Sequence, residues 1–204
     1  MRRLVRRILG WLFDRLYHEL AFSYDFVSSV ASGGRWRGWQ QAVLPYVRGP
    51  RVLEIGPGTG HLLAELWEQG YDAYAVERSP AMAWRTARLV GLGRVIRADA
   101  RQLPFAAATF DTVLGTFPSL YVLEDIFAAE VARVLRPGGR LVLLLGAESG
   151  VDPWPGWIER FLRWSTADAG APTGSSALRY LAGKHFYRET PTGRLSMYVA
   201  ERRP

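Results

Sequence analysis

The 204-residue chain contains no cysteine and no asparagine, and Lys184 is its only lysine. The absence of thiols excludes disulfides, zinc–thiolate sites, iron–sulfur clusters and thiol nucleophiles. Three histidines, His18, His61 and His185, stand without metal-ligand spacing, so no metal centre is expected. No apolar run approaches the ~18 residues of a membrane-spanning helix. Cationic charge rests on 25 arginines, a bias that a thermophilic origin or a GC-rich genome would each produce.

Against these absences stand 49% hydrophobic and 22% charged residues, enough for one globular domain of ordinary size. The net charge of +7 is unevenly spread, because residues 1–20 hold Arg2, Arg3, Arg6, Arg7 and Arg15 against Asp14 and Glu19. The remainder is mildly basic and has no long arginine run with interleaved aromatics, which counts against a nucleic-acid partner. The opening stretch does not read as a secretory signal: its longest uncharged apolar run, Ile8–Phe13, is short and no small-residue cleavage site follows. Leu4, Val5, Ile8, Leu9, Leu12 and Leu16 recur at helical spacing with the arginines clustered towards the other side. Two readings stay open. One is an interfacial helix on anionic head groups, a peripheral contact at the inner membrane surface of a cytoplasmic protein; the other packs the leucines on the domain.

Beyond residue 50, strand and helix signals alternate. "RVLEIG" (51–56), "DAYAVE" (72–77), "RVIRAD" (94–99), "DTVLGTF" (111–117) and "RLVLLLG" (140–146) read as strands. Between them lie helical patterns at 61–70, 79–91 and 124–135, with Ser79 as N-cap and Pro80 as first helical residue of the second. "RPGG" (136–139) reads as a turn, and "KHFYRET" and "RLSMYVAER" as two closing strands joined at "PTG". Such alternation marks an α/β doubly wound sheet, whose ligands bind beyond the carboxyl ends of the strands where strand order reverses. Residues 1–48 form an aromatic-rich helical cap, residues 49–204 the α/β domain, and 147–183 a loop-and-helix insertion on its substrate side.

The glycine loop after the first strand, "GPGTG", places glycines at 56, 58 and 60. The dinucleotide fingerprint needs its third glycine at 61, where this chain has His61, and no lysine follows for a phosphate loop. Glu77 ends the second strand, where an acid accepts hydrogen bonds from both ribose hydroxyls. Asp99 ends the third, where a carboxylate takes a bond from an adenine amino group. Each acid alone also suits a structural role, Glu77 at a helix start and Asp99 in a turn. Together with the glycine turn they outline a nucleoside site that lacks a phosphate cradle.

"VLEIGPGTG", Glu77, "ADARQLPF", "FDTVLGTF" and "EVARVLRPGGRLVL" resemble, in order and spacing, the motifs of class I S-adenosylmethionine-dependent methyltransferases. The nearest flavour is the ubiquinone and menaquinone biosynthesis branch. The likeness runs from about Arg51 to Leu145, with a looser one at 24–41. It implies a three-layer, Rossmann-like, seven-stranded sheet with an antiparallel last strand, preceded here by an N-terminal helical segment. It further implies S-adenosylmethionine as cofactor and S-adenosylhomocysteine as product. Glu54 and the loop Gly56, Pro57, Gly58, Thr59 and Gly60 would surround the methionine part; Pro57 stands where the family often has cysteine or serine. Glu77, with Arg78 beside it, would bind the ribose, Asp99 and Ala100 the adenine, and Thr116 would lie near the methionine end.

Methyl transfer from a sulfonium relies largely on alignment, which aromatic walls assist. Tyr24, Trp36, Trp39 and Phe117 are candidates for that lining, although aromatics near a site are commonly core. No catalytic base is assigned among the three histidines. "TFPS" lacks the polar-Pro-Pro-aromatic motif of amine-methylating relatives, which leaves a small or lipophilic, quinone-like or lipid-like acceptor. An RNA or protein methyltransferase and a non-catalytic cofactor-binding module are the alternatives. The acceptor, the methylated atom and the oligomeric state are not legible.

Overall fold

The computed structural model describes residues 32–148 and 181–203. A short helix α1 (Trp36–Gln41) and a 3-10 turn (Leu44–Tyr46) lead into β1 (Arg51–Ile55), α2 (His61–Glu68), β2 (Asp72–Glu77), α3 (Pro80–Val90) and β3 (Val95–Arg97). Then come β4 (Phe110–Thr116), a 3-10 turn (Leu120–Leu123), α4 (Asp125–Val134), β5 (Leu135–Glu148), β6 (Leu181–Thr190) and β7 (Gly193–Arg202). The seven strands lie in the order β3-β2-β1-β4-β5-β7-β6. β1 to β5 pair in parallel, and β7 runs antiparallel to both β5 and β6. Strand order reverses between β1 and β4, whose register sets Glu54 opposite Leu114. A crevice for a ligand therefore opens at the carboxyl ends of these two strands.

The period of two along each strand sorts the core into two layers. Leu53 and Ile55 of β1, with Leu141, Leu143 and Leu145 of β5, meet Phe127 and Val131 of α4 on one face. Val52 of β1, with Val142 and Leu144 of β5, meets Trp39 of α1 and Leu62, Leu63 and Leu66 of α2 on the other. Strands covered on both sides carry apolar residues at both phases, which is why "LVLLL" is uninterrupted. Trp39, Ala42 and Val43 are buried in the second layer. The core thus reaches past the expected boundary at residue 49.

Local chemistry sets the helix starts. Ser79 accepts a hydrogen bond from Met82 N at 3.4 Å and Pro80 occupies the first helical position of α3. "RPGG" differs from its expected role as a separate turn. Phe110 pairs with Leu135 and Thr112 with Arg140, so residues 136–139 bulge out of one continuous strand β5. Gly138 takes φ +75° in that bulge, and Arg136 ties it down through Asp111 at 2.8 Å. The ends of the expected insertion are likewise strand: 147–148 belong to β5 and 181–183 to β6, while 149–180 lie outside the described residues. Residues 1–20, with their two readings, lie outside them too. No helix among the described residues is long and apolar enough to cross a membrane.

Candidate active site

The loop between β1 and α2 holds three left-handed glycines, Gly56, Gly58 and Gly60, at φ +70°, +57° and +83°. They serve different ends. At Gly60 an added Cβ would lie 2.6 Å from Thr86 Cγ2, so α3 packs directly on the loop. Thr86 reinforces this by donating its hydroxyl to Gly58 O at 2.7 Å. At Gly56 the same Cβ would meet only the Tyr121 hydroxyl, 3.9 Å away. The loop is pinned from one side and hollow above its first glycine.

Acidic groups surround that hollow. Glu54 on β1 is wholly buried, and neither carboxylate oxygen has a hydrogen-bond partner. Burial first, and the Glu77 charge second, push its carboxyl up to about 8. Glu77, 2% exposed at the end of β2, accepts from Ser79 N at 2.7 Å, so its carboxylate sits at the amino end of α3. Asp99 follows β3 and is gripped by Arg101, which donates Nε at 2.9 Å and Nη2 at 2.7 Å, with its backbone N–H at 2.9 Å. Those hydrogen bonds lower the Asp99 carboxyl to about 2. Arg101 also reaches Glu124 at 3.4 Å. Ala100 is buried beside Asp99, and exposed Arg78 lowers the Asp99 carboxyl slightly further.

Tyr121, which the sequence reading passed over, stands on the 3-10 turn after β4. Burial, then the charges of Glu77 and Asp99, raise its phenol well above the ordinary tyrosine range. Its hydroxyl shares the hollow with both acids. A lone tyrosine in a loop has no periodicity, so no local signal marks it.

The end of β4 supplies the opposite wall. Thr116 is buried and accepts a hydrogen bond from Gln40 Nε2 at 3.2 Å, which ties α1 to the strand end. Phe117 takes φ +51°, uncommon and strained for a bulky residue, while its N–H donates to Leu144 O at 2.7 Å. That backbone turn brings its ring onto Trp36, with centroids 4.2 Å apart and planes 20° from parallel. Trp39 lies deeper, buried in the core with its indole N–H directed at Thr192 O at 3.4 Å. Tyr24 and His18 lie outside the described residues. His61 opens α2 and meets Arg37 Nη2 at 2.9 Å. His185 sits on edge strand β6, separated from β1 by β4, β5 and β7, and meets Ser196 Oγ at 2.8 Å.

The family model described as "Methyltransferase domain" matches residues 53–143, the span that builds this crevice. The chain carries a methyltransferase domain. Over 143 residues it is 34% identical to a demethylmenaquinone methyltransferase of Beutenbergia cavernae, covering 68% of this chain and 58% of that protein. Over 142 residues it is 34% identical to a ubiquinone/menaquinone biosynthesis C-methyltransferase of Teredinibacter turnerae, covering 63% and 57%. The chain therefore spans less than two thirds of the length of these curated relatives. Among solved structures, a S-adenosylmethionine-dependent methyltransferase of Thermotoga maritima superposes with TM-score 0.65 at 18% identity, over 93% of this chain and 99% of that one. A second, from Mesorhizobium loti, gives 0.55 at 21%, over 82% and 97%. These two likenesses show the fold.

Family and fold imply S-adenosylmethionine as the cofactor of the methyltransferase domain. The residues present fit it. A cationic amino acid moiety suits a buried carboxyl with both oxygens unpartnered, and the hollow above Gly56 leaves the loop backbone approachable.

Proposed function

We propose that this chain transfers a methyl group from S-adenosylmethionine to a lipophilic, quinone-like acceptor. The observation that carries the reading is Glu54: a buried carboxyl, unpartnered beside Glu77, over a glycine loop with open space above it. The names of the relatives at 34% identity supply the acceptor class.

When bound, the cofactor supplies a methyl group on a positively charged sulfur that is a good leaving group. This chain's residues hold and orient it. Glu54 and the backbone of Gly56, Pro57, Gly58, Thr59 and Gly60 would surround the amino acid end. Glu77, steadied by Ser79 N, would accept the ribose hydroxyls, and the Tyr121 hydroxyl adds a donor to the same place. Asp99, fixed by Arg101, and Ala100 would take the adenine, with Arg78 at the rim. Thr116 would face the methionine end, its hydroxyl oriented by Gln40. The stacked Trp36 and Phe117 rings offer a flat apolar wall that excludes water and aligns a planar acceptor.

Calorimetric titration with S-adenosylmethionine and S-adenosylhomocysteine, on wild type and Glu77→Ala, tests the reading. Binding that the substitution weakens by about tenfold or more, the loss of roughly one charge-assisted hydrogen bond, is the expected result. No binding by wild type overturns it.

A further inference from the structure

The outer side of α3 has no role in the crevice, and its chemistry is unusual for a free surface. Met82, Thr86 and Val90 bury the inner side against the sheet. The opposite side carries Trp84 at 62% exposure, Leu89 at 49% lies on the flank towards α2, and Leu92 at 91% stands just past the helix end. These are three of the six exposed large hydrophobic residues among the described residues, gathered within nine positions. Arg88 lies among them, its guanidinium 4.7 Å from the centroid of the Trp84 ring. From Arg78 to Arg97 the chain carries five arginines and no acidic residue. Arg78, Arg88 and Arg97 are exposed, while Arg94 is held by Asp72. On the flank towards α2, Leu89 lines a cavity together with Glu65, Glu68, Arg37 and His61.

We infer that the outer face of α3 is a docking surface for an anionic lipid bilayer, with Trp84, Leu89 and Leu92 entering the head-group region and the arginines pairing with lipid phosphates. A tryptophan and leucines within a segment of five arginines and no acidic residue is the composition that interfacial helices use. Charge complementarity excludes the nearer occupants. A second copy would set one arginine cluster against another, and residues 1–20 of this chain are themselves net positive. A nucleic acid would match the arginines and leave Trp84, Leu89 and Leu92 without apolar partners. This inference is independent of methyl transfer, although a lipid-soluble acceptor would make such a site useful.

The test floats the full chain with vesicles of phosphatidylcholine, with and without phosphatidylglycerol, alongside a Trp84→Ser/Leu92→Ser variant and Arg88→Glu. All three substituted residues are exposed, and a circular-dichroism melt checks that each variant is folded. Wild type should float with the anionic vesicles and lose binding in added salt, with each variant bound about fivefold less or weaker still. Failure of wild type to float, or flotation of the Trp84→Ser/Leu92→Ser variant equal to wild type, overturns the inference. So does preference for a duplex oligonucleotide over anionic vesicles in competition. S-adenosylhomocysteine affinity, measured on the same samples, is expected to be unchanged, so a failure here is distinct from a failure of the proposed function.

Discussion

Glu54, next to last in β1, and Glu77, last in the neighbouring parallel strand β2, are coupled: the charge on Glu77 adds to burial in raising the proton affinity of Glu54. Glu77 has a backbone N–H from Ser79 to accept, whereas Glu54 has no partner for either oxygen. The ligand-free crevice therefore holds one acid whose ionisation the fold opposes until a cation arrives.

That imbalance makes stability depend on pH. The folded-state carboxyl of Glu54 titrates at about 8 against an ordinary 4.5, so the folded state binds this proton more tightly. Its contribution is fully present below the ordinary value and is lost as pH rises through the folded one. Ligand-free protein should lose about 2.5 kcal/mol relative to Glu54→Gln between about pH 6 and about pH 8.5. Urea melts of both proteins at the two pH values measure the difference. A parallel response of the two would show that Glu54 is not the group responsible.

Cofactor binding should release a proton. At neutral pH Glu54 is mostly protonated, and a cation beside it favours the charged form. About 0.9 proton is expected to leave near pH 7 on binding. Calorimetry in buffers of differing ionisation enthalpy reads this number directly. Glu54→Gln should abolish it, and affinity for wild type should rise with pH up to about 8.

The loop glycines should separate fold from binding. Gly60→Ala meets Thr86 and a left-handed φ, and is expected to cost about 3 kcal/mol. Thr86→Ser in that background removes the clashing methyl, keeps the hydroxyl bond, and should recover about 1 kcal/mol. Gly56→Ala meets only the Tyr121 hydroxyl, at an ordinary 3.9 Å, so its left-handed φ costs about 1–2 kcal/mol and the methyl fills the hollow instead. Denaturation should rank Gly60→Ala below Gly56→Ala, whereas both should bind S-adenosylhomocysteine poorly. Equal stability of the two would contradict the packing described for Thr86.

Arg101 acts through Asp99. Arg101→Ala should let the Asp99 carboxyl rise from about 2 towards its ordinary 3.8, a change that carboxyl NMR titration follows. A freed carboxylate is also less well aimed, and S-adenosylhomocysteine affinity should fall about three- to tenfold. Arg101→Lys, which keeps the charge but loses the fork, should restore the pKa more fully than the affinity. An Asp99 titration unmoved by either substitution would refute the clamp.

Much of the scaffold was legible because its signals are local. Apolar stretches such as "LVLLL" can be satisfied only under helices on both faces, and Ser79-Pro80 carries its own cap. The glycines mark the loop because their backbone angles are open to few other residues. Side-chain partners at long range were not legible. Nothing near Tyr121 in the chain signals Glu77, and nothing near Gln40 signals Thr116. "RPGG" was read as a turn because its residues turn readily; pairing on either side with β4 made it a bulge within one strand.

The sequence by itself determined the alternation of strands and helices, the glycine loop, the acid that ends β2 and the one that follows β3. These depend on period, backbone freedom and spacing, which are properties of neighbouring residues. Only the tertiary structure decided that Glu54 lies buried and unpartnered, that Phe117 turns onto Trp36, and that Trp84, Leu89 and Leu92 stay outside. Burial and electrostatic fields are sums over groups distant in the chain, and they acquire values only when the sheet brings those groups together.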